Sequence, residues 1–455
     1  MTKEMTKGSP MRLILGFALP TLLGLLFQQL YNVVDTMIVG QLLGSDALAA
    51  VGATGSLNFL VIGFCTGICS GFAIPVAQQF GAGDHERMRQ FVGNGGLLCV
   101  TFGAVITLAT TLLCGSILRT MDTPSDIYLQ SYQYIFIIFS GIPATILYNY
   151  LSGILRALGD SKSPVLFLAL SSVLNIGLDI LLLSVFHWGV SGAAIATVIS
   201  QLVSGLASLL YIWRKVPLLH TRISHWKANR SALAGLCGMG LPMGLQYSIT
   251  ALGSILLQAS VNGLGTDYVA AVAASCKLSC FFACPYDAMG ATMATYCGQN
   301  VGAGKLDRLH RGILACTWLG MGYYVLAALV MCLGGPTLAL LFLKPTETKV
   351  ISLMVRHLGT NALAYGFLAL VNILRFSIQG MGFSQLAMLA GLMEMIARSA
   401  AGIFLVPAWG FTAACLASPL AWVLADAFLI PATVLCIRHL EQPMHPARPR
   451  RLSRI

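Results

Sequence analysis

The second half of this chain repeats the first. Leu43–Ala50 returns 221 residues later as Leu264–Ala271, and Gln78–Gly83 returns at the same offset as Gln299–Gly304. Nine of these fourteen aligned positions are identical, where composition alone, at roughly 7% for a common residue, gives about one. Further pairs at nearly the same offset are Pro20 and Pro242, Gly159 and Gly382, and Ser161 and Ser384. The chain is therefore expected to fold into two similar bundles.

Composition places these halves in a membrane. Hydrophobic residues make up 57% of the chain and charged residues 9%, whereas soluble domains carry about 25% charged residues. Apolar runs repeatedly exceed the length of a membrane-spanning helix, which excludes a large soluble enzyme. The 13 cysteines mostly lie inside these runs without zinc-site spacing, so we expect small buried side chains. The N-terminus lacks the short apolar core and cleavage site of a removable signal peptide.

The apolar runs predict an all-α integral membrane fold of twelve spans. The first six are expected at about 14–38, 51–80, 93–118, 132–155, 163–186 and 189–214. The other six are expected at about 235–257, 268–298, 312–342, 356–380, 385–407 and 411–436. The predicted domains are a cytoplasmic N-terminus (1–13), an N-lobe (14–214), a cytoplasmic linker (215–234), a C-lobe (235–436) and a basic tail (437–455).

Positive charge predicts the orientation. Of 27 Lys and Arg residues, 20 lie in segments expected on one side and three in loops expected on the other. Basic loops stay in the cytoplasm, so both termini are predicted to be cytoplasmic in a multi-pass protein of the bacterial cytoplasmic membrane. The tail Arg448-Pro449-Arg450-Arg451 is expected to contact anionic lipid headgroups rather than nucleic acid.

Each half contains an even number of spans, so both halves begin on the same side. They are therefore predicted to be parallel repeats related by a pseudo-twofold axis along the membrane normal. Glycines four residues apart on one helix face predict close helix packing, at Gly63, Gly67 and Gly71 in the first half and Gly240 and Gly244 in the second.

Enzyme motifs are missing or incomplete. Gly302–Lys305 matches part of a phosphate loop, but Gln299 replaces the first glycine and Leu306 the final Ser or Thr. The sequence contains no H-E-x-x-H and no G-x-S-x-G. We expect no enzyme and no cofactor. Transport by this chain would draw on an ion gradient.

Two acidic residues inside spans are the strongest site candidates. Asp35 has Tyr31 one turn before it on the same helical face, and Asp179 has Asn175 one turn before it. A carboxylate in a span costs about 2.5–3.5 kcal/mol on insertion scales and is a functional candidate by default. Two carboxylates, each beside a carboxamide, suit a hard cation or an exchangeable proton. Pro20, fifteen residues before Asp35, removes a backbone hydrogen bond and is the predicted hinge.

The repeat assigns this chemistry to the first half. Shifting Asp35 by 222 gives Leu257, and shifting Asp179 by 223 gives Gly402. Other polar residues in the spans are candidates for lining a cleft between the halves: Asn32, Asp287, Arg375, Glu394 and Arg398. Glu394 and Arg398 are also spaced for an intrahelical ion pair, and that alternative stays open. The partners of Lys277, Asp287 and Asp426 must come from other spans.

Four motifs together resemble the multidrug and toxic compound extrusion (MATE) transporters. They are Ala18-Leu19-Pro20, Val34–Gly40, Arg156–Ser161 and Asn175–Asp179, and the resemblance extends over about residues 10–436. It implies a V-shaped pair of six-helix lobes with a central cleft. It also implies export of organic, often cationic, compounds against an inward flow of H⁺ or Na⁺.

The resemblance also implies a cation site. We group this chain with the DinF-like and MepA-like branch of the family. DinF-like and archaeal members carry an Asp on the first helix, an Asn and an Asp on the fifth and a Thr on the sixth. The matching residues are Asp35, Asn175, Asp179 and Thr197, with Tyr31 beside the first acid. These residues are expected to couple a proton or to bind Na⁺. The NorM-like branch uses acids on the seventh and tenth helices, and the corresponding predicted spans contain none.

Two other functions remain as alternatives. A lipid-linked oligosaccharide flippase of the same superfamily would carry extra helices and a strongly cationic cavity. An integral membrane enzyme would need a polar catalytic cluster, and the sequence indicates none. The expected partners are small-molecule drugs or organic cations and the lipid bilayer, with no nucleic acid, and the chain is expected to be a monomer.

Overall fold

All regular structure in residues 3–121 and 123–442, the parts of the chain that this computed structural model describes, is helical. The first half contains α1 (Pro10–Leu43), α2 (Ser45–Ala82), α3 (His85–Thr120), α4 (Ser125–Ser140), α5 (Ile142–Ala157), α6 (Lys162–Ile180) and α7 (Gly189–Lys215). The second contains α8 (Arg230–Asn262), α9 (Thr266–Gly302), α10 (Asp307–Ala339), α11 (Thr348–Leu363), α12 (Tyr365–Met381), α13 (Ser384–Ala400), α14 (Val406–Trp409) and α15 (Phe411–Glu441). We call α1–α7 the N-lobe and α8–α15 the C-lobe. The Arg448–Arg451 part of the predicted tail lies outside the described residues.

Ten of these helical segments are long and apolar enough to cross a membrane, and two bent pairs raise the number to twelve when each pair is one span. This confirms the all-α, twelve-span prediction. The bends lie between α4 and α5 (46°) and between α11 and α12 (51°), where the sequence map had straight spans at 132–155 and 356–380. At the first bend Pro143 lies two residues after Gly141. Proline has no N–H to donate, so it removes a hydrogen bond that would continue the helix.

The backbone carries the repeat that the sequence shows. Gly44 and Gly265 have φ angles of +88° and +115°, a region that favours glycine because it has no Cβ to clash. Three further pairs of positive-φ glycines recur at offsets of 221 to 223, namely Gly83 and Gly304, Gly159 and Gly382, and Gly189 and Gly410. Five-residue π segments follow α6 (Leu181–Val185) and α13 (Ala401–Leu405). The two halves therefore share these positive-φ glycines and π segments as well as their helices.

Each lobe has its own hydrophobic core, but the first helix of each half reaches into the other lobe. Ile14 and Phe17 of α1 belong to the core of the C-lobe. Ala232 and Leu236 of α8 belong to the core of the N-lobe. The predicted lobe boundaries at 14 and 235 describe the order of the helices along the chain. In the folded protein, the first turns of α1 pack in the C-lobe core and the first turns of α8 pack in the N-lobe core.

The predicted glycine packing joins α2 to α8 across the lobes. A Cβ on Gly67 would lie 2.7 Å from the carbonyl oxygen of Met243, and a Cβ on Gly71 would lie 2.7 Å from that of Met239. Only a hydrogen on these glycines allows the two backbones to approach this closely. The prediction of close packing is confirmed at Gly67, Gly71, Gly240 and Gly244, whereas a Cβ on Gly63 would make an ordinary 3.6 Å contact with Tyr247.

The lobes also meet through the repeated Gln-x-x-Gly motif. Gly81 of the N-lobe packs against the backbone of Gln299, and Gly302 of the C-lobe packs against the backbone of Gln78, so that a Cβ on either glycine would overlap the opposing chain. The Gln78 side chain also donates a 3.2 Å hydrogen bond to the carbonyl oxygen of Gly380. The two copies of one motif thus close the same end of the molecule reciprocally. We call it the basic end; it carries residues 3–9, the turns at 83–84, 158–161 and 303–306, and the linker 216–229.

An N-terminal segment, residues 3–9, ties the lobes together at the basic end. Its Lys3 N–H donates to the carbonyl oxygen of Leu158 in the N-lobe at 3.0 Å. Its Met5 N–H donates to Oε1 of Gln299 in the C-lobe at 2.8 Å, and the Met5 side chain is 1% exposed. Gln299 in turn donates to the carbonyl oxygen of Ala157 at 2.8 Å. Met5 therefore fills a gap beside the contact between the lobes.

Met5→Ala is expected to weaken this closure by about 2 kcal/mol, the lower end of the cost of removing a buried methionine side chain. Hydrogen exchange measured by mass spectrometry should become faster in residues 3–9 and 299–304. Met11→Ala is the matched control, because Met11 is 36% exposed. Equal exchange in the two variants would contradict a closing role for Met5.

The linker between the lobes is docked on α3 rather than free. Asn94 Nδ2 donates to the carbonyl oxygen of His225 at 3.1 Å, and Asn94 Oδ1 accepts from the Asn229 N–H at 2.9 Å. Nε2 of His225 lies 2.7 Å from Oε1 of Glu86. This hydrogen bond holds the pKa of the exposed Glu86 carboxyl below its usual range. The linker therefore fixes the start of α8 to the N-lobe.

Candidate cation site and inter-lobe cavity

Asp35 and Asp179 come together inside the N-lobe. Asp35 lies on α1 and Asp179 near the end of α6, and their carboxyl groups are close enough to share a hydrogen bond. Asp179 is fully buried and Asp35 is half-buried. Two carboxyl groups at this separation repel each other unless a proton or a cation lies between them. The pair is therefore suited to holding one proton or cation.

Asn175 and Thr197 complete one side of this pair. When the Asn175 amide nitrogen faces Asp179, it donates to Oδ2 at 2.9 Å and the amide oxygen accepts from the Thr197 N–H at 3.2 Å. The Thr197 hydroxyl donates to the carbonyl oxygen of Ala193 at 3.1 Å, which fixes its position on α7. The structure thus brings together all four residues that the resemblance implied.

Two tyrosines flank the acids. The Tyr31 hydroxyl lies beside Thr197 and within electrostatic range of both carboxyl groups. Tyr134, on α4, is 7% exposed and also faces Asp35 and Asp179. Sequence reasoning missed Tyr134, because an uncharged aromatic residue in an apolar run carries no signal of a site.

Unsatisfied oxygens indicate what the site can hold. Oδ1 of Asp35 and Oδ1 of Asp179 are buried without a hydrogen-bond partner among the described residues. Buried polar atoms are normally paired, so two orphaned acceptors side by side need a donor or a cation. Carboxylate, amide and hydroxyl oxygens are the ligands of hard cations, and a proton shared by the carboxyl groups satisfies the same atoms. The residues present fit either H⁺ or Na⁺.

The helices around the acids are irregular in ways that allow movement. The π segment Leu181–Val185 starts two residues after Asp179, and such segments are often found at functional sites. On α1, Pro20 lies within one continuous helix, and the proline cannot donate to the carbonyl of the preceding turn. The predicted hinge at Pro20 therefore stands in an unbroken helix and stays a prediction.

A cavity of about 550 Å³ lies between the lobes. The N-lobe contributes residues of α1, α2, α5, α6 and α7, and the C-lobe contributes residues of α8, α9 and α12. On α1 the lining residues run from Thr21 to Gln28, directly after Pro20. One helix thus forms part of the cavity wall and continues to Asp35.

The cleft-lining candidates divide into two groups. Asp287 and Arg375 line the cavity, together with Arg156, which the sequence map had assigned to a loop. Asn32 is exposed on α1, bonds to Gln29 at 3.2 Å and is not among the lining residues. Glu394 and Arg398 lie deeper in the C-lobe, behind the cavity wall.

Glu394 joins two arginines. It pairs with Arg375 across helices and with Arg398 on its own helix at 3.0 Å, and all three side chains are under 10% exposed. Asp426 of α15 lies within electrostatic range of Arg375, and both its carboxyl oxygens are buried without a hydrogen-bond partner in the described parts of the chain. Lys277 is exposed. Where the N-lobe holds paired acids, the C-lobe holds a buried ionic cluster.

Glu394→Gln is expected to destabilise the protein by about 3–5 kcal/mol, because it leaves two buried arginines without their shared counter-charge. Thermal unfolding in detergent measures the loss. Glu86→Gln, at an exposed carboxyl on the basic end, is the matched control and should change stability much less. Equal stability of the two variants would show that Glu394 is not the counter-charge of the cluster.

The chain matches the sequence profile of the MatE family twice, over residues 20–181 and 242–403. The two matched ranges are offset by 222 residues, as the repeat requires.

Similar proteins are found among curated sequences and solved structures. The probable multidrug resistance protein YoeA of Bacillus subtilis (strain 168) is 32% identical over 340 residues, which cover 73% of each chain. An FAD transporter of Shewanella oneidensis is 25% identical over 369 residues, which cover 79% of this chain and 80% of the relative. A crystal structure of MATE in complex with MaL6 superposes with a TM-score of 0.91 at 22% identity, covering 97% of this chain and 100% of that one. The chain belongs to the MATE family of membrane proteins.

Proposed function

We propose that this protein is a secondary active multidrug efflux transporter and not an enzyme. It exports organic, often cationic, compounds in exchange for H⁺ or Na⁺ by alternating access of its two lobes. The relatives named as a multidrug resistance protein and an FAD transporter support export of small organic molecules. The positive-inside rule supports a bacterial cytoplasmic membrane with the basic end in the cytoplasm.

The acid pair and its orphaned oxygens carry this proposal. A cation entering from outside binds between Asp35 and Asp179 and removes their mutual repulsion. The change is transmitted along α1, because the segment Thr21–Gln28 between Pro20 and Asp35 lines the inter-lobe cavity. Bending at Pro20 narrows the cavity and releases the substrate outward.

The return step opens the basic end. The Gln-x-x-Gly contacts and the N-terminal segment separate, the cation leaves to the cytoplasm, and the cavity accepts new substrate. Coupling requires only that the loaded and empty acid pair favour different conformations, as in any two-state equilibrium biased by a ligand. Na⁺ or H⁺ serves equally in this scheme.

Ethidium efflux from proteoliposomes tests the proposal. The full-length protein is reconstituted, and pH and Na⁺ gradients are imposed separately. We expect uphill movement of ethidium with one of these gradients and none without a gradient. Ethidium movement that is indifferent to both gradients would reject ion-coupled transport, and chemical conversion of a substrate would indicate an enzyme.

A further inference from the structure

The inter-lobe cavity contains an arginine that has no acidic partner among the described residues. Arg156 is the penultimate residue of α5, is half-buried and lines the cavity from the N-lobe. Within the described chain its guanidinium takes part in no hydrogen bond or ion pair. The titratable groups within its electrostatic range are Tyr148, Tyr247 and Cys69.

Two acids, one that follows Arg156 in the chain and one across the cavity, contact other groups. Asp160 lies four residues further on and caps the start of α6, where it accepts from the N–H of Ser163 at 3.0 Å and from its hydroxyl at 2.6 Å. Asp287, on the opposite wall, lies within electrostatic range of Arg375. The C-lobe wall therefore carries its own acids and arginines, and none of the described acids forms an ion pair with Arg156.

An unpaired guanidinium here needs an explanation. Arginine does not lose its proton in proteins, so its charge cannot be removed by neutralisation. Arg156 lies in the last turn of α5, where a basic residue interacts favourably with the helix dipole, but the gain is typically only about 0.3–1 kcal/mol. A carboxylate or phosphate forms a bidentate, charge-assisted pair with arginine, which is a much stronger interaction. The missing partner therefore has the chemistry of an organic anion.

The rest of the cavity defines the body of that anion. Phe59 of α2, Phe376 of α12 and Tyr247 of α8 line it and offer aromatic surface from both lobes. Tyr247 also lies within electrostatic range of Arg156, which places an aromatic ring beside the cation. Ligand sites commonly combine such apolar walls with a few polar groups that fix orientation.

We propose that the cavity takes aromatic compounds bearing a carboxylate or phosphate, and that Arg156 binds the anionic group. This inference rests on the proposed function, since it assigns a substrate class to the same cavity. It extends that function beyond the organic cations that the family resemblance implies. Asp287 and Arg375 then face a part of the substrate that carries little net charge.

Riboflavin 5′-phosphate and riboflavin test the proposal, because they share a ring system and differ by the phosphate. Binding to the purified full-length protein is followed by flavin fluorescence. The wild type is expected to bind the phosphate ester about tenfold or more tightly than riboflavin, a factor typical of one added charged contact. Equal affinity for the two flavins would overturn the proposal, and this comparison needs no variant.

Variants then assign the preference to one side chain. Arg156→Gln should reduce the preference to about one, and Arg156→Lys, which keeps the charge, should retain part of it. Arg119→Gln removes an exposed arginine from the end of α3, outside the cavity, and should leave the preference unchanged. A preference that persists in Arg156→Gln would reject Arg156 as the anion site.

Ethidium transport in the same preparation separates the two proposals. If the wild type moves ethidium under a gradient but shows no preference between the flavins, the anion site alone is rejected. If no gradient moves either ethidium or riboflavin 5′-phosphate, ion-coupled efflux is rejected, whatever the binding preference shows.

Discussion

Replacing Asp179 with asparagine is expected to reduce gradient-driven export to the level of protein-free vesicles. The substitution keeps the shape of the side chain and the bond from Asn175, but it removes one of the two carboxyl groups that hold the coupled cation. The neutral amide of the variant no longer repels the Asp35 carboxylate. Loading the site therefore no longer changes the relative energy of the outward-open and inward-open conformations. Asp35→Asn should fail in the same way. Ethidium efflux measures both variants.

Stability distinguishes this loss from misfolding. Removing one of two buried carboxyl groups that repel each other should leave thermal stability unchanged or raised, and the amount of protein in the membrane unchanged. Asp126→Asn, at an exposed acid in the first turn of α4, provides the same chemical change outside the site and should export normally. Unaltered export by both site variants would remove the coupling scheme.

Gly302→Ala is expected to have the second large effect, because the added methyl group would overlap the backbone of Gln78 on the opposite lobe. A flexible side chain could move aside, but a helical backbone cannot without separating the lobes. The closed basic end should therefore become a minor state, and concentrative export should fall at least about tenfold, as expected for a shift of 1.4 kcal/mol or more. Gly81→Ala should act in the same way against Gln299.

Hydrogen exchange reports the opening directly. Residues 78–83 and 299–304 should exchange faster in either variant than in the wild type. Gly322→Ala is the matched control, since that glycine lies within α10 and a Cβ there would meet nothing within 4 Å. Slow exchange and normal export in Gly302→Ala would show that the contact is not the closing element.

The number and order of spans followed from the sequence, because a helix in lipid must be apolar over its whole length. The two helix bends were not equally predictable from the sequence. Gly141 and Pro143 carry a sequence signal for the first bend, but the second, at Ala364, has no proline, and Gly366 two residues later lies inside α12. There the geometry is set by packing between helices, which a single sequence does not record.

Within the candidate cation site, the acids could be predicted because charge in an apolar span is costly and conspicuous. Tyr134 could not, since its role depends on how α4 packs against α2, α3 and α7 inside the N-lobe. Arg156 was assigned to a loop because it ends an apolar run, and only the three-dimensional structure turns its side chain into the cavity. Sequence patterns are least reliable at helix ends, where they do not distinguish a residue that lines a cavity from one that lies in a loop.

The reciprocal meeting of Gly81 with Gln299 and of Gly302 with Gln78 has an evolutionary consequence. A contact in which each partner offers the same patch to the other is the kind that forms twofold symmetric dimers. A half-length ancestor with one Gln-x-x-Gly motif could have closed on a second copy of itself before the gene duplicated and fused. Met5 bonds to Gln299, whereas Gln78 bonds to Gly380, so the N-terminal segment departs from that symmetry.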